Sequence, residues 1–132
     1  MNDLIFRSLD EHKRSLEAFE YSSEELTRAY LERIEEKEPS INAYVSVCYD
    51  SAIAAAKESD ERRRKGEALS ALDGIPYAAK DNIAVAGLPL RCGSHILDGY
   101  VSPFDATVIS RLKESGCVLP GKPNHDEFAM GT

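Results

Sequence analysis

Lys80 ends a run of small and apolar residues, Gly74-Ile-Pro-Tyr-Ala-Ala, with Asp81 and Asn82 directly behind it. Gly74 marks a tight entry, and a proline such as Pro76 is tolerated only near the start of a strand. Ile75 to Ala79 is therefore expected as a short strand with little bulk on one face. Lysine is almost never fully buried without a partner. Two readings follow: the strand surfaces at Lys80, its ammonium hydrated or paired with Asp81, or the amine is kept dry for a chemical purpose.

The elements around this strand alternate in type. Leu9, His12, Leu16 and Phe19 form one stripe of an amphipathic helix, with His12 as a packing residue. Ser22 with Glu25 three residues on is a capping box that opens a second helix, with Leu26, Ala29, Tyr30 and Ile34 on one face and Pro39 as its stop. Ile41, Ala43, Val45 and Val47 alternate as in a half-buried strand. Ser51 to Arg64, rich in alanine, has the highest helix propensity of the chain, and Gly66 is its natural cap. Ile83 to Pro103 holds Gly87, Pro89, Gly93, Gly99 and Pro103, and reads mostly as loop. Asp105 is placed to cap a third helix, with Val108, Ile109 and Leu112 turned inward. Cys117 to Leu119 reads as a buried strand, and Asn124 with Glu127 repeats the capping pattern ahead of a last helix. This order predicts an α/β fold, a mixed sheet flanked by helices.

Composition narrows the function classes. Sixteen basic and 23 acidic residues among 132 give a net charge of −7. Such a surface repels phosphate, so this segment is a poor main nucleic-acid face. The one basic run, Arg62 to Lys65, is expected to be solvated at a helix end. Three widely spaced cysteines fit a reducing cytoplasm and give no zinc pattern. No apolar signal core follows Met1, and no run approaches the ~20 residues of a membrane helix. Cys92 and His95 are too close in sequence to aim at each other as nucleophile and base, and His125-Asp126-Glu127 diverge around a helix, so no metal site is assigned.

Leu72-Asp-Gly-Ile-Pro-Tyr-Ala-Ala-Lys-Asp-Asn-Ile83 resembles the lysine-bearing block of the amidase signature family. Pro103 to Leu112 and Gly121 to Gly131 resemble the blocks that follow it, and the likeness runs from about Ser22 to Thr132. Asp126-Glu-Phe-Ala-Met-Gly131 is most similar to the A-subunit branch of Glu-tRNA(Gln) amidotransferases. Pro123 stands where threonine is more usual, His125 where methionine is common, and Leu90-Arg91 where small hydroxyl residues precede the cysteine.

The resemblance implies amide hydrolysis by a Ser–cis-Ser–Lys triad, with Lys80 as its lysine and Met130 and Gly131 near the amide substrate. It also implies glutamine as substrate, subunits B and C as partners, tRNA reached mainly through the partner, and no membrane. No cofactor is implied for this chain, with ATP and Mg used by the partner subunit. An amine takes a hydroxyl's proton only when neutral, and desolvation disfavours the ammonium. Asp81 is accordingly expected to turn away from Lys80, toward backbone amides. The Gly/Ser-rich segment that bears the family's serines is absent before Thr132. The expectation is an N-terminal piece of a single amidase domain, residues 1–40 helical and 41–132 the α/β part, inactive alone and with exposed strand edges at 75–79 and 117–119. Alternatives are a piece of a stand-alone small-amide amidase, or a non-catalytic helical module using residues 9–37.

Overall fold

The computed structural model describes residues 3–131. Met1, Asn2 and Thr132, the ends of the stretches read above for a leader and for the last family block, lie outside the described residues. The helices are α1 (Leu9–Glu17), α2 (Ser23–Ile41), α3 (Tyr49–Arg64) and α4 (Thr107–Glu114), and the strands β1 (Tyr44–Val47), β2 (Pro76–Ala78) and β3 (Val118–Pro123). Single 3-10 turns occur at Leu4–Phe6, His95–Leu97 and Glu127–Ala129. No helix among them is long and apolar enough to cross a membrane.

The strands form one sheet in the order β1-β3-β2, with β1 antiparallel and β2 parallel to the middle strand. The α/β expectation holds, but β3 is central, so only β1 and β2 present free edges. Segment 117–119 is not the exposed edge expected of it. β3 also runs on to Pro123, through two prolines that cannot donate to a ladder. Both flanking pairings slip in register, between Tyr44 and Ser46 and between Pro76 and Ala78, which lets a central strand carry prolines.

Helices α2 and α3 cover one face of the sheet. Leu31 of α2, Ala52, Ile53 and Ala56 of α3, and Val118 of β3 make one buried cluster. The alanines let α3 approach the strand closely, as its composition implied. Leu16, Leu26 and Ile75 seal the end near α1, with Tyr21, Tyr30 and Leu72 around them. A third cluster of Ala79, Val85 and Ile109, flanked by Tyr77 and Leu119, brings α4 against the sheet. Each fully buried leucine contributes roughly 1.5–3 kcal/mol.

Both capping boxes at α1 and α2 are formed, Ser8 with Glu11 and Ser22 with Glu25. Other local readings are corrected. Leu9 and Phe19 are exposed. Phe19 falls past the end of α1 in a left-handed conformation (φ 54°), where Glu20 N–H donates to Ser15 O and Phe19 N–H to Leu16 O, a Schellman closure that swings the ring off the stripe. Pro39 does not stop α2. It costs one hydrogen bond in the last turns, and the helix ends at left-handed Asn42, whose N–H reaches Glu38 O. Ile41 thus belongs to α2, not to the strand. Asp105 does not cap α4, because its carboxylate accepts from Ala86 N–H and Lys113 Nζ, both at 2.7 Å, and Val108 is exposed.

The basic run is not simply solvated. Arg62 grips buried Asp73 bidentately, at 2.9 and 2.7 Å, and Arg63 donates to the Asp73 carbonyl. Burial pushes the Asp73 carboxyl upward, but hydrogen bonds from Arg62 and Leu69 N–H outweigh it and leave the group below its ordinary value. This clamp joins the end of α3 to the turn that launches β2.

His12 is buried between Tyr21 and Tyr30, with Nδ1 2.7 Å from one hydroxyl and Nε2 3.3 Å from the other. One proton arrangement satisfies every group: Tyr21 donates to Nδ1, Nε2–H donates to Tyr30, and Tyr30 donates to Ile5 O. Desolvation, assisted by Arg7, lowers the His12 pKa below its ordinary 6.5. A depressed histidine contributes stability that is present above the unfolded value and lost as pH falls through the folded one. Urea midpoints at pH 7.5 and 5.0 will therefore differ, and His12→Gln will shrink that difference.

Candidate active site

The lysine block delivers Lys80 at the exit of β2. Ala79 is buried, Lys80 is exposed, and Asp81 is fully buried again. A turn closes immediately afterwards, with Ile83 N–H donating to Lys80 O at 2.9 Å. Lys80 is thus the surfacing residue between two buried ones, in line with the solvated reading for this stretch taken by itself.

Asp81 turns away from Lys80, toward a buried lysine as well as the backbone amide expected. Its N–H donates to Pro123 O at 3.1 Å, and its carbonyl accepts from Cys92 N–H at 3.2 Å. Oδ2 accepts from Arg91 N–H at 3.2 Å. Oδ1 lies 2.9 Å from the ammonium of Lys122, an ion pair in which both side chains are 0% exposed. Lys122 Nζ also donates to Pro89 O at 3.0 Å. The buried lysine of this chain is Lys122, on the central strand. Sequence reasoning passed over it, although a lone charge in Cys117-Val-Leu-Pro-Gly-Lys-Pro123 was the available signal.

The loop after β2 carries these contacts onward. Cys92 accepts Phe128 N–H through its carbonyl at 2.7 Å, and Ser94 Oγ donates to Glu127 Oε1 at 2.5 Å. A continuous hydrogen-bonded path therefore runs from Lys80 and Asp81, through 91–94, to the segment ending in Met130 and Gly131. Met130 is 81% exposed and Gly131 is exposed. The expected last helix is not formed. Phe128 and Ala129 take left-handed conformations (φ 51° and 58°), which a right-handed helix cannot continue, and Glu127 is committed to Ser94. Cys92 (φ 52°), to which Phe128 is bonded, is left-handed as well, and such conformations persist only where surrounding contacts impose them.

Other candidates come apart. His95 is turned out to solvent and pairs with Asp98, away from Cys92. His125 Nδ1 sits 2.6 Å from Asp126 O. No cluster of histidine, cysteine, aspartate or glutamate among the described residues could hold a metal ion.

A family model described as Amidase matches residues 25–132. The chain belongs to that family. The A subunit of glutamyl-tRNA(Gln) amidotransferase from Acidothermus cellulolyticus is 45% identical over 132 residues, which is 100% of this chain and 26% of that protein. The likeness is to the N-terminal part of that protein, and the chain spans about a quarter of the length of the curated relatives it matches. Among solved amidase structures, the native peptide amidase of Stenotrophomonas maltophilia superposes with a TM-score of 0.80 at 36% identity, over 87% of this chain and 24% of that one. The A subunit of glutamyl-tRNA(Gln) amidotransferase from Thermotoga maritima gives 0.62 at 37% identity, over 83% and 21%.

Gly93 has a positive φ of 66°, and a Cβ there would run into the His125 carbonyl. Gly93→Ala is expected to push the 91–94 loop off the 125–128 segment. Limited proteolysis between residues 124 and 131 will accelerate several-fold, while far-UV circular dichroism stays unchanged.

Proposed function

We propose that this chain is the lysine-bearing N-terminal part of an amidase domain in the glutamine-hydrolysing subunit of a Glu-tRNA(Gln) amidotransferase, and that Lys80 is the base of its triad. The single observation that carries the reading is the disposition of the lysine block. Asp81, the carboxylate nearest Lys80 in sequence, is drawn inward to Lys122, which leaves Lys80 at the surface where further polypeptide can cover it. The identity to A-subunit relatives over the whole chain supports the choice of branch.

The mechanism follows from what such an amine can do. Covered and dehydrated, it accepts the proton of a serine through its serine neighbour, and the freed alkoxide attacks the amide carbon of glutamine. The proton held by the amine passes back to the amide nitrogen, which leaves as ammonia, and water then releases glutamate from the acyl-enzyme. A partner subunit uses the ammonia, with ATP and Mg, to amidate Glu on tRNA(Gln). The place of action is the cytoplasm, with subunits B and C as partners. Met130 and Gly131 border the amide pocket; they lie on the segment tied by hydrogen bonds to the 91–94 loop.

In the full-length protein with its partner subunits, Lys80→Met should reduce ammonia release from glutamine by about two to four orders of magnitude, the usual contribution of a positioned base. Unchanged turnover would remove Lys80 from this role. The 132-residue chain alone should release no ammonia from glutamine, since it contains no Gly/Ser-rich run to supply the nucleophile. Turnover of small amides, but not of glutamine, by the full-length protein would point instead to a stand-alone amidase.

A further inference from the structure

Lys122 is the largest side chain in the structure with no exposed surface, and its ammonium is matched by one carboxylate and one carbonyl. Replacing a buried ion pair with well-packed apolar residues is often neutral or stabilising. A charge kept here at such cost calls for a use other than raw stability. The surroundings supply one. Ala79 N–H reaches Gly121 O at 3.4 Å and Asp81 N–H reaches Pro123 O, so the residues on both sides of Lys80 hang from the strand that carries Lys122. The Asp81 side chain then anchors the same point a second time through Lys122, and Lys122 extends the tie to Pro89 within the loop that follows.

We infer that Lys122 and Asp81 are positioning residues for Lys80: their buried ion pair, closed by the Pro89 carbonyl, fixes the backbone from which the amine projects. The inference rests on the reading of Lys80 as the base. Two properties make the pair suited to the task. An ammonium with no exposed surface, held between strand and loop, is weakly screened, so its charged contacts are strong. It also commits the Asp81 carboxylate, so that the carboxylate adjoining Lys80 in sequence is held by another cation.

The test uses the full-length protein with its partner subunits, assayed for ammonia release from glutamine. Either single charge removal leaves an unpaired ion in the interior and endangers folding. The informative protein is therefore Lys122→Met combined with Asp81→Asn, which is neutral and keeps an acceptor for Arg91 N–H. Folded, with a thermal midpoint near that of the parent, it is expected to lose between about tenfold and a hundredfold in kcat with KM nearly unchanged, the mark of a displaced reacting group. A folded double variant with the parent's kcat overturns the inference, because a purely structural pair would be replaced without kinetic loss. If the double variant does not fold, Asp81→Glu, which keeps both charges but lengthens the tether by one methylene, decides, and full kcat there overturns the inference equally. Lys80→Met, run alongside, separates the two claims. Were it active, the reading of the base would fall; were it dead while the pair variants kept full kcat, only the positioning role would.

Discussion

Hiding an ammonium from water is among the costliest acts a small fold performs, and this one does it in its middle strand. Lys122 is tolerable inside only because Asp81 and the Pro89 carbonyl are already there to receive it. Both receivers belong to segments that β3 organises. The strand thus fills three roles. It bridges β1 and β2, gives Val118 to the cluster under α2 and α3, and sends its one charge toward the loop that follows β2.

Two aspartates bracket β2 and are treated alike. Asp73, before it, is gripped by Arg62 and receives Leu69 N–H; Asp81, after it, faces Lys122 and receives Arg91 N–H. Both are fully buried. A strand of three residues has few ladder bonds of its own, and at each end a charged tether fixes what pairing alone leaves loose. The difference lies in the cations. Arg62 sits at a helix end with part of its surface wet, which makes its clamp a join between elements. Lys122 is wholly dry, which makes its pair a locator.

Features encoded within a few residues were legible in the sequence. The Ser22–Glu25 box, the alanine-rich face of α3, the glycine after it and the strand before Lys80 all depend on neighbours in the chain. The turning away of Asp81 from Lys80 was also expected, but its partner Lys122 was not. Readings that depended on distant partners went astray. Pro39 is a local exception, since a proline so near a helix end removes a single hydrogen bond and α2 runs on to its cap at Asn42. Asp105 had the right type for a cap, but Ala86 and Lys113 claim its oxygens. The strand was expected to end at Leu119, but it runs on to Pro123 beside two neighbours set roughly forty and eighty residues back. Lys122 was hidden in the same way, since nothing within five residues of it announces Asp81 or Pro89.

Placing the middle strand of this sheet after both of its neighbours has an effect on biosynthesis. Tyr44 finds its partner in Pro123, so β1 must wait while roughly eighty further residues are made. At ordinary translation speeds that interval is on the order of ten seconds. The nascent polypeptide can wind its capped helices at once, but it carries a bare strand and an unclosed apolar layer until β3 leaves the ribosome. During that interval it is a natural client for chaperones that hold extended, greasy segments apart.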